Sequence, residues 1–525
     1  MRFSWTKFMR YVGPGWLVSV AYIGPSSLEA RLQAGAYTNF DVLGVLMLSF
    51  GVGFFFQVLA ARLGTVTGRS LSEHCSAEYP RPVALVLWLV AEAAIIGCDV
   101  HEILGSALAL HVLTGIPLWS GCLVIGCATF AFLSLHVLGV RYVEAFFTVL
   151  LLAMGLCFVV DFGLVKVDWA DAIGSVVPLI TDVNARAAMN TLGPALVPHN
   201  LFLHSALVAL RPLNRRDRSA VRAATLYASV EVGVALCTIF VVNVAVLGLF
   251  ADAFYAAPCS VLPDQSACLP PATALYSGSP VYNYYSLAPC LVLNHTVSDD
   301  CPRCAMGHTQ MYGYCQPLEL VDAGSALRDT LGAPAAHAWA IALLAAGQAS
   351  TMTATYAGQF VMEGFVPLRL PAWQRIAITR VLALLPAVML AVSALDNKGA
   401  IHPTSLHVVQ SLALPLALVP LVTLTSSRSV MGKGFINGAR TRMAAIVLAG
   451  VLCILNLYDV GSAIAAVVWT SARSYATTGA MVVYVMVLLY ITLLAPLCAW
   501  RASIVEAPEA ILESLLDTNE DDDAA

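Results

Sequence analysis

The chain has 525 residues, of which 59% are hydrophobic and only 11% are charged, and its mean hydropathy is +0.79. A soluble domain covers its surface with roughly 25–35% charged residues. The composition therefore excludes a soluble protein and predicts a polytopic protein that lies in a lipid bilayer. The formal net charge is −5 and its negative part is concentrated in a terminal run, which argues against a nucleic-acid partner.

Apolar runs of about 20 residues, the length of a helix that crosses a bilayer, recur along residues 1–500. They predict an all-α transmembrane domain with about twelve spans. Basic residues precede the first run and no short apolar segment ends in a cleavage site, so no removable signal peptide is predicted. The predicted spans are 12–33, 42–63, 83–112, 117–137, 144–164, 187–210, 223–250, 335–361, 376–395, 403–426, 441–458 and 479–500.

The connections between the spans differ in charge, and this difference predicts the orientation. The connections that would lie inside with a cytoplasmic N-terminus hold Arg69, Arg81, Arg141, Arg211, Arg215, Arg216, Arg218, Arg222, Arg369, Arg375, Arg428, Lys433, Arg440 and Arg442. The short outer connections are nearly free of cations. By the positive-inside rule, both termini are predicted to be cytoplasmic, with an even number of spans and an acidic cytoplasmic tail over 501–525.

Two of the predicted spans contain helix-breaking sequences. Span 1 has Gly24-Pro25-Ser26-Ser27 in the middle of an apolar run, and proline removes a backbone donor and clashes with the preceding turn. Span 6 carries Pro194 and Pro198 at the matching depth of the second half. Paired interruptions of this kind predict a central transport site. A pair of packing kinks without a ligand is the alternative.

Span 3 carries acidic residues inside an apolar run. Glu92, Asp99 and Glu102 share one broad helix face. Acids at membrane depth are energetically costly and are usually functional. Arg380, in span 9, is the expected buried counter-ion. A static buried ion network is the alternative to a functional role.

The long connection 251–334 falls outside in this topology and differs from the rest of the chain. It contains the glycosylation sequon Asn294-His295-Thr296 and six cysteines, which imply up to three disulfides without choosing among the fifteen possible pairings. Cys301 and Cys304 also have metal-ligand spacing, so metal capture is an alternative. The disulfide candidates are Cys259, Cys268, Cys290, Cys301, Cys304 and Cys315.

The stretches 13–29 and 192–207 resemble the first and sixth spans of the Nramp family of proton-coupled divalent-metal transporters, whose patterns read G-P-G-W…D-P-G-N-x-E and A-x-x-M-P-H-N…L-H-S-A-L. The resemblance covers about residues 11 to 458. It implies a LeuT-type inverted repeat of spans 1–5 and 6–10 with two extra C-terminal spans. It also implies a divalent cation as substrate, protons as a further candidate, and no cofactor. No nucleophile, phosphate loop or cofactor motif supports an enzyme.

The resemblance also implies a metal site whose ligands have changed. Gly24 stands where the family has aspartate, Ser27 where it has asparagine, and Val197 where it has methionine. Losing the soft sulfur removes the preference for manganese, iron or cadmium over magnesium and calcium. Losing the carboxylate requires either a retained water shell or a compensating acid. The candidate metal-site residues are Gly24, Ser26, Ser27, Pro194, Val197 and Gln410.

A proton route or gate is implied by the same resemblance. Asp99, Glu102 and Arg380 match the family's acids in span 3 and its arginine in span 9. His199 and His204 match its paired histidines in span 6, although a lone buried histidine is more often a packed core residue. Since they are five residues apart, the two histidines point to different helix faces and do not form one ligand pair.

These observations predict a divalent cation transporter with a remodelled site, with magnesium or broad divalent selectivity and weak or no proton coupling. The plasma membrane or an endolysosomal membrane is the expected location. A non-transporting receptor or regulatory protein of the same family is the alternative, and a transporter of something other than a metal is a second one.

Overall fold

The structure is a computed structural model. The residues it describes are 4, 5, 8, 11–138, 149–150, 153–158, 160–163, 169–177, 180–181, 184–192, 197–262, 266–276, 280–290, 292–293, 296–298, 301–306, 311–366, 372–396, 404–432 and 434–468. Predicted span 12, the tail 501–525, Pro194 and Asn294 lie outside these residues, as does much of predicted span 5.

The first span is broken where the sequence predicts it. Helix α1 covers Pro14–Ser19, a 3₁₀ turn covers Val20–Ile23, and helix α2 covers Pro25–Thr38. Gly24 between them is extended, with φ −59° and ψ 164°. Proline disfavours the helical backbone conformation for the residue before it, which here is Gly24. Pro25 then begins α2 at a position where its missing N–H costs nothing. The chain is therefore non-helical at Gly24, between two helical pieces.

The other helices of the first half are α3 Leu43–Thr67, α4 Leu71–Glu78, α5 Arg81–Thr114, α6 Leu118–Leu138 and α7 Trp169–Gly174. Three of them, α3, α5 and α6, lie at predicted spans 2 to 4, whereas the short helices α4 and α7 lie outside the predicted spans. The short α4 is absent from the predicted spans, because it has too few residues to cross a bilayer. It begins with a capping box in which Ser70 and Glu73 bond each other's backbone N–H.

The second half begins with another interrupted span. Helix α8 ends at Leu192 and helix α9 begins at Pro198, so the predicted span 6 consists of two pieces. The helical bounds of this half are α8 Ala185–Leu192, α9 Pro198–Ala209, α10 Arg218–Phe254, α14 Ala333–Phe365, α15 Ala372–Asp396, α16 Thr404–Ser426, α17 Arg428–Met431 and α18 Ala439–Val468.

The connection between α10 and α14 is a small mixed domain, so the prediction of an all-α chain is wrong here. We call it the cap, residues 255–332. Its helices are α11 Ala257–Ser260, α12 Pro271–Tyr276 and α13 Leu320–Leu331, and its strands are β1 Ala267–Leu269, β2 Tyr282–Asn283, β3 Ala288–Pro289, β4 Val292–Leu293, β5 Thr296–Val297, β6 Cys304–Met306 and β7 Met311–Gln316. β7 pairs antiparallel with β1, β2 and β6. These strands were missed because they are too short for an alternating pattern.

Four described helices are long and apolar enough, by length and composition, to cross a membrane. They are Leu43–Thr67, Arg81–Thr114, Arg218–Phe254 and the part Ala439–Tyr458 of α18. The count of twelve spans and the inverted repeat stay predictions. The observed helices agree with a polytopic membrane protein.

Helices α5 and α14 form the most extensive helix pair beside the break in span 1. A Cβ atom at Gly347 on α14 would overlap the Ser106 hydroxyl and lie 3.2 Å from the Glu102 carbonyl oxygen. Glycine at this position therefore lets the two helices approach closely. This packing holds the polar groups of α5 against the break.

Candidate functional site at the break of span 1

The break in span 1 faces a carboxylate from α5. Glu102 lies on α5 and is 1% exposed. A Cβ atom at Gly24 would overlap Glu102 Oε1, and it would lie 2.8 Å from Glu102 Oε2 and 2.8 Å from Ser350 Oγ. Two atoms that are not bonded do not approach so closely without displacing one another. Glu102 therefore occupies the space that a side chain at position 24 would need.

The two oxygens of Glu102 have different surroundings. Oε1 accepts hydrogen bonds from Ser26 Oγ at 3.5 Å and from Cys98 Sγ at 3.8 Å. The Ser350 hydroxyl of α14 faces the same break, 2.8 Å from the position of a Cβ atom at Gly24. Oε2 is buried and has no hydrogen-bond partner among the described residues. Among the described residues, Glu102 also forms no ion pair.

Asp99, one turn before Glu102 on α5, has a charged partner. Arg380 of α15 donates from Nη1 to Asp99 Oδ1 at 2.8 Å, and both side chains are buried. Arg380 Nη2 also donates to the Thr351 carbonyl of α14. The expected counter-ion is thus in place, and its part in a proton route stays a prediction. Glu92 of the same helix accepts from Trp88 Nε1 at 3.2 Å.

The other predicted metal-site residues are distributed around the two interruptions. Ser26 and Ser27 are buried in the first turn of α2, and Ser26 bonds the carboxylate described above. Val197 is buried and immediately precedes α9, so it brings an isopropyl group to the second interruption. Gln410 is buried on α16 and has no hydrogen bond to the described residues of the break. Pro194 lies outside the described residues.

The two histidines of α9 have different environments. His204 Nδ1 lies 2.9 Å from Gln57 Oε1, and Gln57 Nε2 donates to the Tyr22 hydroxyl at 3.4 Å. This chain of bonds links α9 to the 3₁₀ turn before the break. His199 is buried and its Nδ1 has no partner among the described residues. Asn200, which the sequence analysis did not single out, is also buried with both amide atoms unpartnered there.

A buried arginine was also missed. Arg31 on α2 is 0% exposed and donates from Nε to Asn243 Oδ1 at 3.1 Å and from Nη1 to the Thr191 carbonyl at 3.1 Å. Asn243 in turn donates from Nδ2 to the Tyr22 carbonyl at 3.3 Å. These bonds connect α2 to α8, α10 and the 3₁₀ turn. The signal that could have identified it is a cationic residue inside a predicted apolar span.

The C-terminal end of α2 is bonded to the cap. The Tyr37 hydroxyl donates to the Leu318 carbonyl at 3.1 Å and accepts from its N–H at 2.8 Å. Gln33 Nε2 donates to the same carbonyl at 3.2 Å. Nearer the centre of the bundle, Glu29 Oε2 lies 3.1 Å from His101 Nε2 of α5. The half-helix that starts at the break is therefore held by the cap at its other end.

Two acids of the cap lie in a partly desolvated place beside this contact. Burial raises the pKa of Glu319 to about 7, and the neighbouring Glu29 carboxylate adds to the rise. Burial likewise raises the pKa of Asp322 to about 7, with a further contribution from Glu319. Because a like charge and low polarity both disfavour ionisation, these acids titrate near neutral pH.

The six cap cysteines form three disulfides. The pairs are Cys259–Cys315, Cys268–Cys304 and Cys290–Cys301. Cys301 and Cys304 belong to different bridges, so the metal-site alternative for this pair is wrong. A disulfide sulfur has no thiolate to offer a metal. One bridge joins α11 to β7 and another joins β1 to β6, and β7 leads into the segment that bonds α2.

A family model and several relatives match most of this chain. The family model for natural resistance-associated macrophage protein-like (Nramp) proteins matches residues 15–269 and 306–462. The metal transporter nramp1 homologue of Dictyostelium discoideum is 36% identical over 461 residues, which cover 87% of this chain and 76% of that protein. Natural resistance-associated macrophage protein 2 of Homo sapiens is 37% identical over 471 residues, with the same two coverages.

Solved structures share the fold. The manganese transporter of Eremococcus coleocola, in complex with an aromatic bis-isothiourea substituted compound, matches with a TM-score of 0.75 and 25% identity, over 96% of this chain and 97% of that one. MHP1, a nucleobase-cation-symport-1 family transporter, matches in fold with a TM-score of 0.50. Since the family model covers most of the chain and the relatives are similar along most of their own length, the chain belongs to the Nramp family.

Proposed function

We propose that this protein moves a divalent metal cation across a membrane through the interruptions of spans 1 and 6. The names of its relatives, which include a metal transporter and a manganese transporter, support a metal substrate. The observation that carries the proposal is the break at Gly24, where extended backbone faces the buried oxygens of Ser26, Glu102 and Ser350. Interrupted helices that expose backbone and polar groups at membrane depth are typical of transport sites.

The side chains at the two interruptions support broad divalent selectivity, with magnesium among the substrates. Position 24 has no side chain, and Val197 supplies no sulfur. The polar groups that face the first break are hydroxyl and carboxylate oxygens, which suit hard cations. Cys98 is the exception, and its S–H is engaged with Glu102. Cadmium, which prefers soft ligands, should therefore compete weakly.

The same site supports cation movement without obligatory proton symport. Symport requires that one group holds the cation while another carries the proton, and that the two occupancies depend on each other. Gly24 supplies no carboxylate, and Asp99 is engaged with Arg380. One free carboxylate does not serve both purposes at the same time. Asp99, Glu102, His199, His204 and Arg380 remain the candidates for any residual proton route or gate.

Flux measurements test these proposals. The purified full chain in proteoliposomes should take up magnesium, manganese, iron and calcium down their gradients. At fixed membrane potential, abolishing the pH gradient should change uptake by less than about twofold, since no differential proton binding is required. Collapse of uptake without the gradient would disprove the uncoupled mechanism. Absence of flux for every cation would favour the non-transporting alternative, and uptake of a non-metal solute would favour the other one.

We further propose that both termini are cytoplasmic and that the cap lies in the lumen of an organelle or outside the cell, in an endolysosomal or plasma membrane. Three disulfides fit an oxidising compartment, and the sequon at Asn294 would be glycosylated there. Glycosidase treatment should increase the mobility of the wild-type chain and leave Asn294→Gln unchanged. An insensitive wild type whose cap thiols react without reductant would contradict this topology.

A further inference from the structure

We propose that Glu102 is the carboxylate ligand of the transported cation and that it replaces, from α5, the acidic side chain that position 24 lacks. The inference rests on the function proposed above and names the residue that performs it. A side chain at position 24 would collide with both carboxylate oxygens of Glu102 and with the hydroxyl of Ser350. A carboxyl group therefore lies where an acidic residue at position 24 would place one, although it comes from another helix.

The position of this carboxylate is fixed by its neighbours. Ser26 Oγ and Cys98 Sγ both donate to Oε1, one from the first turn of α2 and one from the preceding turn of α5. The N-terminus of α2 also favours negative charge, because its first N–H groups have no acceptor within the helix. One oxygen is thus held in place, and this orients the other.

The second oxygen is available to a ligand. Glu102 Oε2 is buried without a hydrogen-bond partner among the described residues, on a side chain that is 1% exposed. An ionised, buried carboxylate without a charged partner is strongly unfavourable. Asp99 on the same helix differs, because its charge is balanced within the protein by Arg380 at 2.8 Å. A divalent cation at the break would give Glu102 the partner that the described chain does not.

The proposal also changes what a substitution at position 24 should do. Restoring an acid with Gly24→Asp alone would force its Cβ against the Glu102 carboxylate and would place two negative groups in one space. This variant should bind cations no better than the wild type. The reciprocal double variant, Gly24→Asp with Glu102→Ala, removes the collision and moves the carboxylate to α2.

Equilibrium binding tests the assignment without relying on transport. Manganese binding to the purified full chain is measured by titration calorimetry and by the Mn²⁺ spin-resonance spectrum. Glu102→Gln keeps the side-chain shape and removes the charge, and it should weaken manganese binding about a hundredfold. Glu92→Gln is the matched control, because this acid lies elsewhere on α5 and bonds Trp88. It should leave affinity within about twofold. Size-exclusion profiles confirm that each variant is folded.

The outcomes separate this inference from the proposed function. If the wild type transports and binds manganese while Glu102→Gln and Glu92→Gln both bind as the wild type does, the inference is overturned and the transport function stands. If the reciprocal double variant recovers most of the affinity lost in Glu102→Gln, the carboxylate acts as a replacement for position 24. If it recovers none, the replacement is overturned. Failure of the wild type to bind manganese or magnesium would overturn the inference and the proposed function together.

Discussion

Asp99 and Glu102 are separated by one turn of the same helix, yet their environments are opposite. Asp99 is paired with Arg380, which also bonds the Thr351 carbonyl, so this acid joins α5, α14 and α15. Glu102 has hydroxyl and thiol neighbours on one oxygen and no partner among the described residues on the other. The comparison indicates that a buried acid with its own cation holds the structure together, whereas one without a cation is placed for a substrate.

The largest expected effect comes from neutralising the paired acid. Asp99→Asn leaves the Arg380 guanidinium buried without an opposite charge, which should lower the free energy of unfolding by about 3–5 kcal/mol. Glu102→Gln should cause no loss of stability, because it removes a charge that has no partner. Thermal unfolding of the purified variants in detergent measures both.

The control for this comparison is a double variant. Asp99→Asn with Arg380→Gln removes both charges and should regain much of the stability lost in the single variant. If Asp99→Asn were as stable as the wild type, or if Glu102→Gln were the more damaged of the two, the division between a structural and a substrate-facing acid would be wrong.

A second, intermediate effect is expected at the other interruption. Val197→Met would add a thioether to a site whose described donors are mostly oxygens, and it should strengthen cadmium competition against manganese uptake about tenfold. Val197→Leu has a similar volume without sulfur and should not do so. Uptake competition curves for the two variants measure the difference.

Cys98 is a second possible source of a soft ligand, so the cadmium competition is also measured in a Cys98→Ser variant. If cadmium already competes strongly in the wild type and Cys98→Ser removes that competition, the soft ligand comes from α5 and the argument from Val197 fails. If Cys98→Ser changes nothing, Glu102 acts at the break as an oxygen donor without help from its neighbouring thiol.

The smallest expected effect concerns two partly desolvated acids of the cap, Glu319 and Asp322. The pKa values of Glu319 and Asp322 are raised to about 7 by burial, from ordinary values of about 4 in an unfolded chain. The neutral forms therefore favour the folded cap. This contribution is complete below about pH 4 and is lost as the pH rises through about 7.

The contact between the cap and Tyr37 should accordingly be tighter at pH 5.5 than at pH 7.5, two values that lie within the titration range of these acids. Hydrogen exchange of residues 318–331, corrected for the intrinsic rate, measures this. The double variant Glu319→Gln with Asp322→Asn should remove the dependence. A dependence that persists in the double variant would show that it does not come from these two acids.

The interruption of span 1 was predictable because its cause is local. Proline at position 25 disfavours a helical residue before it and provides no N–H, whatever surrounds it. The pairing of Asp99 with Arg380 was predictable for a different reason, since a cation and an acid inside apolar spans have few other ways to be satisfied. The number of cap disulfides likewise followed from six cysteines in one connection between predicted spans.

Tertiary contacts decided the rest. The disulfide partners depend on which strands of the cap lie side by side, and its strands are too short to leave a periodic pattern. The roles of Arg31 and Tyr37 depend on acceptors more than 150 residues away along the chain.

By itself, the sequence determined that this protein lies in a membrane, that its first span is broken at Gly24, and that the residues at positions 24 and 197 offer neither a carboxylate nor a sulfur. Those conclusions need only composition, proline chemistry and the identity of single residues. Only the tertiary structure showed that Glu102 fills the space beside Gly24. That contact exists because α5, α14 and the start of α2 pack closely together, and the distance between side chains on separate helices is set by packing and not by their spacing along the chain.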